Sequence, residues 1–150
     1  MPDLKVSKIS DGTVIDHIPA GRGLDILSLL GLNGDSEKTV SLLMNVKSSK
    51  MKRKDIVKVE GRKLKEREVK SVAILAPEAT VNIIEDYEVL EKDRLDLPQN
   101  IQGFLSCPNP QCVTNTDEPL KAAFKVRERE PVLLQCEYCE RKFTSFELDI

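Results

Sequence analysis

Apolar and polar positions alternate among β-branched residues over 13–18, which predicts a first strand that Pro19 stops. Gly21 and Gly23 then lead into residues 24–32. Here Leu24, Leu27 and Gly31 fall on one helical face with Leu30 beside it, and Gly31 and the Asn33-Gly34-Asp35 cluster end the helix. Residues 39–46 read as a second strand, 47–53 as a hairpin loop and 55–60 as a third strand. Over 63–76, Val69, Val72, Ala73 and Ala76 recur at helical spacing, an amphipathic helix closed by Pro77. Residues 79–84 and 87–90 supply a last strand or a bent pair.

The order β-α-β-β-α-β predicts an α+β, ferredoxin-like first domain, in which two helices cover one face of an antiparallel sheet. The other face is open to a ligand or a partner, and the fold alone does not choose between them. Residues 94–100 are polar, contain Pro98 and read as a linker to a smaller, all-β part that holds every cysteine.

In a chain of 150 residues, 40% are hydrophobic and 32% charged, with a net charge of −2, so a foldable globular chain is expected. No apolar run approaches the roughly 20 residues that span a bilayer. The first ten residues lack the pattern of a signal peptide, and the expected location is the cytoplasm, where thiols stay reduced. Charge is uneven: residues 47–70 hold eleven Lys or Arg against four Asp or Glu. Such a segment suits an anion, although solvated faces share this composition.

Cys107 and Cys112 form C-x4-C, and Cys136 and Cys139 form C-x2-C after a gap of 23 residues. Each short pair sits on a tight turn and presents two thiolates to one ion, and the gap leaves room for a β-hairpin. Four thiolates match the tetrahedral, soft-ligand preference of Zn²⁺, with every position filled by protein. A closed site of this kind is structural. It would also supply folding energy to a domain too small for a sufficient core.

Catalytic chemistry finds little support. The single histidine, His17, lies far from the cysteines in sequence, and the H-x-E partner of a zinc deaminase is absent. Phosphate-loop and nucleophile-elbow motifs are absent as well. His17 follows Asp16, so the two point to opposite faces or straddle the strand end. Lys54 and Lys58 share a strand face, where two ammonium groups could meet one polyphosphate. With Lys92, they make nucleoside triphosphate binding a candidate. A zinc-ribbon nucleic-acid binder is the competing class. Few aromatics and an acidic zinc domain count against it.

Gly12–Pro19, Met51-x-Arg-Lys-Asp55, Ala76-Pro-x-Ala-Thr-Val-Asn82, Tyr87-Glu-Val and the two cysteine pairs, in that order from about residue 4 to 147, resemble the aspartate carbamoyltransferase regulatory chain. The resemblance implies a non-catalytic chain with a nucleotide-binding allosteric domain (1–97) and a zinc domain (98–150) that contacts catalytic chains. By position, it implies an effector site for CTP and ATP drawing on Val6, Ile9, Val14, Asp16, His17, Lys54, Lys58, Asn82, Ile84, Tyr87, Val89 and Lys92. It also implies one structural Zn²⁺ per chain on Cys107, Cys112, Cys136 and Cys139, and partner contacts at Asn109 and Glu140. The implied assembly joins two catalytic trimers through three regulatory dimers in pyrimidine synthesis, with no role for nucleic acid or membrane. Family members with Glu after the first valine have Ser7 here, and Pro110 and Gln111 depart from a more Asn/Ser-rich first knuckle.

Overall fold

The computed structural model describes residues 9–32, 34, 37–95, 97–103, 105–117, 120–129 and 132–144. The chain forms two compact units, Met1–Asp96 and Leu97–Ile150. No helix among the described residues is long and apolar enough to cross a membrane.

The first unit runs β1 (Gly12–Pro19), α1 (Gly23–Leu29), β2 (Val40–Ser48), β3 (Lys52–Glu60), α2 (Glu66–Leu75), β4 (Thr80–Glu85) and β5 (Glu88–Arg94). The strands form one sheet in the order β2-β3-β1-β4-β5, and every neighbouring pair is antiparallel. This is the ferredoxin-like order with a fifth strand added beyond β4. Alternation along the central strands buries Thr13, Ile15, Val57, Val59, Val81 and Ile83. Ile26 of α1 and Val72, Ala73 and Ile74 of α2 are buried with them, and α1 packs on α2, β3 and β2. The helices thus take up one side of the sheet and leave the residues between these positions on the other.

Helix α1 turns a different face inward from the one its leucines suggest. Gly23 and Ile26 are buried, with Leu30 just past the end, whereas Leu24 is 56% exposed. The cause lies at Gly23. A Cβ there would sit 2.6 Å from Leu42 Cδ1 and 2.9 Å from Asp55 Oδ2, so only glycine lets the first turn approach β2 and β3 so closely. That contact sets the rotation of a helix of only seven residues. Gly31, at φ +70°, closes it: Leu32 N donates to Leu27 O (2.9 Å) and Gly31 N to Ser28 O (3.0 Å). Asn33 and Asp35, expected to help end the helix, lie outside the described residues.

Two connections are tighter than expected. The β2–β3 loop is only residues 49–51, because Lys47 and Ser48 still pair with Arg53 and Lys52. Residues 79–94 form a hairpin, not one strand. Its turn is Asp86-Tyr87, both with positive φ (51° and 66°), a pair that matches strand twist in two-residue loops. Strand β5 extends to Arg94 and the next strand starts at Asn100, so the expected linker of 94–100 shrinks to the residues between them.

The second unit is a sheet of β6 (Asn100–Gln102), β7 (Ala123–Arg129), β8 (Val132–Cys136) and β9 (Lys142–Thr144), antiparallel in that order. A 3-10 turn, Val113–Asn115, follows the first cysteine pair, and the β7–β8 hairpin fills the gap before the second. Its core is small: Phe124, Leu134, Leu97, Ile101, Leu105, Val132 and Phe143.

Candidate functional site

Residues directly opposite one another in neighbouring strands point to the same face. Lys58 of β3, Val14 of β1, Asn82 of β4 and Lys92 of β5 stand opposite one another in one row across the sheet. They occupy the side away from the helices, since the residues flanking Val14, Thr13 and Ile15, are fully buried. Two residues toward the β1 end, Asp16 stands opposite Thr80. Toward the other end, Ile84 stands opposite Val89 and Gly12. Sequence positions from 14 to 92 therefore converge on one open face. Asn82 Nδ2 donates to Val14 O at 3.3 Å and fixes the amide at its centre.

Asp16 and His17 are adjacent, and regular strand geometry would send them to opposite faces. A bulge prevents this. The β1–β3 register shifts between Ile15 and Ile18, and His17 takes φ +60°. The imidazole Nδ1 then lies 3.1 Å from Thr80 Oγ1, beside Asp16, and Asp16 Oδ1 accepts from His17 N (2.6 Å) and faces Lys54 Nζ (2.9 Å).

Electrostatics follow from this clustering. Burial disfavours the Asp16 carboxylate, but the Lys54 ammonium and the His17 N–H outweigh it and hold the carboxyl below the ordinary carboxylate range. Burial lowers the pKa of His17. Asp16 opposes the shift, while Lys54, Lys50 and Lys92 add to it. Burial likewise lowers Lys58, partly offset by Asp16. The face thus gathers cations around a row of apolar and amide groups, an arrangement suited to a ligand with a flat polar head and a polyanionic tail.

The remaining positions expected at this site fall as follows. Ile9 is buried just before β1. Tyr87 is 64% exposed in the β4–β5 turn, with its N–H donating to Ser10 O (3.0 Å), which ties that turn to the chain beside Ile9. Val89 is exposed. Val6 and Ser7 lie outside the described residues.

Three contributors were not anticipated from sequence. Thr80 orients the imidazole, and Lys50 adds its charge at His17. Asp55, fully buried, accepts backbone N–H groups from Gly21 (3.0 Å), Gly23 (2.8 Å) and Asn45 (2.8 Å). It pins the start of α1 and, through Asn45 (φ +59°), the bulge of β2 where the β2–β3 register shifts between Leu43 and Val46. In the sequence it reads as one acid in a basic run, part of the Met51-x-Arg-Lys-Asp55 block but with no role of its own assigned.

In the second unit the Sγ atoms of Cys107, Cys112, Cys136 and Cys139 all lie within 4.8 Å of one another. The cross-knuckle pairs Cys107–Cys139 and Cys112–Cys136 are each 3.7 Å apart, too far for a disulfide bond, and all four cysteines are free. A tetrahedral ion with thiolate bonds near 2.3 Å has an edge of roughly 3.8 Å, so the cluster fits a metal.

Donors from each knuckle support the thiolates. Burial opposes ionisation of Cys139, yet the Arg141 N–H, the Asn109 side chain and the neighbouring thiols lower its pKa to about 7. Burial likewise opposes Cys112, where the Thr114 hydroxyl (3.1 Å) and N–H prevail and lower it. Burial raises Cys107 and Cys136.

Asn109 is buried, and its Oδ1 accepts from Gln111 N at 3.1 Å. Asn115, which the sequence reading passed over, donates from Nδ2 to Cys107 O and Asn109 O, both at 2.7 Å. Glu140 is exposed, holds φ +63° after the second pair, and donates its N–H to Cys136 O (3.0 Å).

Comparison with known proteins adds to this geometry. A family model described as aspartate carbamoyltransferase regulatory chain, allosteric domain, matches residues 4–96, and one described as the metal binding domain of the same chain matches 99–149. The aspartate carbamoyltransferase regulatory chain of Thermococcus gammatolerans is 51% identical over 148 residues, 99% of this chain and 97% of the relative. Those of Methanothrix thermoacetophila (51% over 142 residues; 95% and 92%) and Metallosphaera sedula (50% over 145 residues; 97% and 92%) are similar to the same extent.

Proposed function

The chain belongs to the aspartate carbamoyltransferase regulatory chain family, a non-catalytic subunit with allosteric and metal-binding domains, and from that membership we propose that its open sheet face binds the effector nucleotides CTP and ATP. The observation that carries this reading is the row Lys58, Val14, Asn82 and Lys92 beside the Asp16–His17–Lys54 cluster. Val14, Ile84 and Val89 offer apolar contact to a base, and Asn82 with the strand-edge groups offers hydrogen bonds. Lys54, Lys58 and Lys92, beside His17, neutralise triphosphate and ribose-side charge. Val6 and Ile9 complete the site from the N-terminal segment, and Tyr87 from the β4–β5 turn.

The metal is one structural Zn²⁺ per chain. Four thiolates gathered within 4.8 Å of one another would fill every position of a tetrahedral ion and leave none for an activated water, so the ion would supply folding energy and no chemistry of its own. The zinc unit docks on the catalytic chains. Glu140 is exposed there for direct contact, whereas Asn109, turned inward, holds the knuckle in shape. The assembly joins two catalytic trimers through three regulatory dimers and works in the cytoplasm, where the thiols stay reduced. Nucleotide binding controls the catalytic chains by the difference between its affinities for two quaternary states.

Calorimetric titration of the zinc-loaded chain with CTP and then ATP tests the effector reading. One saturable site per chain, shared competitively by the two nucleotides, is expected. Absence of binding by a folded, metal-replete chain overturns it.

A further inference from the structure

Strand β5, an edge of its sheet, continues to Arg94, a residue that sequence pattern alone assigns to the linker. Its register against β4 decides which face each charged residue takes. Lys92 stands opposite Asn82 and Arg94 opposite Thr80, so both share the open face. Glu91 and Asp93 stand opposite the buried Ile83 and Val81, and Glu88 opposite Glu85, two residues on from Ile83, so all three acids fall on the helix side. The strand thus sorts its charges by sign, every acid to one face and both cations to the other. Charges on an edge strand ordinarily keep it from pairing with another chain, and either sign on either face would do that. The sorting calls for a separate reason.

A second row across the open face supplies one. Asp16 of β1 stands opposite Thr80 of β4, which stands opposite Arg94 of β5. Directly opposed residues bring their Cβ atoms to roughly 5 Å, and His17 Nδ1 is held 3.1 Å from Thr80 Oγ1. Arg94 therefore starts one strand out from the residue that orients the imidazole, two residues along from Lys92. It is exposed, and among the described residues no carboxylate stands within ion-pair distance of it. The acid of that row, Asp16, is engaged by Lys54 from β3, on the opposite side of β1. A planar guanidinium beside an imidazole and an ammonium presents a fork that matches phosphate oxygens.

We propose that Arg94 is a further anion-binding residue of the nucleotide site, gripping the phosphate chain beside His17 and Lys92 from the outer edge of the sheet. This rests on the nucleotide reading above and adds a residue to it. The sorting of charge along β5 then places its cations where the phosphates lie and removes its acids to the other face.

The test is calorimetric titration of the intact, zinc-loaded chain with CTP over a range of salt concentrations. Wild type, Arg94→Gln and Arg67→Gln are compared, the last removing an exposed cation from α2 on the helix side. Both positions are exposed, and circular dichroism of each variant verifies the fold. Arg94→Gln is expected to weaken CTP about five- to ten-fold and to make its salt dependence shallower, while Arg67→Gln stays within about two-fold of wild type. No loss in Arg94→Gln, an equal loss in Arg67→Gln, or a loss with the salt dependence unchanged overturns the role of Arg94. If wild type binds no CTP, the nucleotide reading itself fails and the proposal falls with it.

Discussion

Lys54 Nζ lies 2.9 Å from Asp16 Oδ1 at the bulged end of β1, so a cation of the candidate phosphate site is already paired in the free chain. The side chains are 16% and 26% exposed, which limits what the pair adds to stability while keeping both groups in reach of a ligand. Asp16 places a negative charge where an anion must come. Asp16→Asn is expected to change folding stability by about 1 kcal/mol or less and to raise triphosphate affinity about two- to five-fold. Denaturant titration and calorimetry check the two halves. A fall in CTP affinity would mean that Asp16 instead holds Lys54 in its binding position.

Asp55 has the opposite character. It is fully buried, faces the helix side, and its two oxygens satisfy three backbone N–H groups. Replacing it strands those donors at the start of α1 and in the β2 bulge. Asp55→Ala is expected to destabilise the first unit by about 3 kcal/mol or more, since hydrogen bonds to a charged acceptor contribute 1.5–3 kcal/mol each. Urea denaturation followed by far-UV circular dichroism measures it. A loss under about 1 kcal/mol would show that water reaches the three donors.

The contrast between Cys107, Asp55 and Leu24 explains how much was legible in the sequence. A thiolate tetrahedron demands short spacings within each pair, so Cys107, Cys112, Cys136 and Cys139 announce themselves without any fold. The strands followed from period-two burial, and the open face followed from their order. Helix α1 misled because seven residues give too few turns for periodicity to outweigh one close contact, here at Gly23. The roles of Asp55 and Asn115 were not legible because each bonds backbone groups beyond its own turn of chain, six to 34 residues away, and no side-chain pattern records that. The convergence of Asp16 and His17 depends on a positive φ that composition does not signal.

The two units should respond differently to metal removal. The second has a core of few large apolar residues around the cysteine cluster, and the first holds no part of that cluster. A strong chelator, or Cys136→Ser, is expected to unfold residues 97–150 and leave the β2-β3-β1-β4-β5 sheet intact, because structural zinc contributes on the order of 10 kcal/mol to such small domains. Amide resonances resolved by unit report this directly. Retention of native β7–β8 resonances without metal would show that Phe124, Leu134 and their neighbours suffice. Nucleotide affinity should survive either treatment.

His17 gives nucleotide binding a pH dependence whose sign can be worked out. In the free chain, burial and then Lys54, Lys50 and Lys92 hold its pKa below the ordinary histidine value, against the pull of Asp16. Lys58 also lies on this face, and a bound polyphosphate adds negative charge that favours the imidazolium. The bound state therefore carries more protons than the free state. Affinity should rise as pH falls from about 7.5 to about 6, and be flat at higher pH until the lysines titrate. Asp16 does not interfere, since its carboxyl, held low by Lys54, stays ionised throughout that range. For folding of the free chain the sign reverses: a lowered histidine pKa means that the unfolded state binds the proton better, so stability falls slightly over the same descent. Calorimetric titrations of CTP in buffers of different ionisation enthalpy count the protons taken up, and His17→Gln should abolish the uptake. Uptake that persists in His17→Gln would assign the proton to the phosphate chain of the ligand.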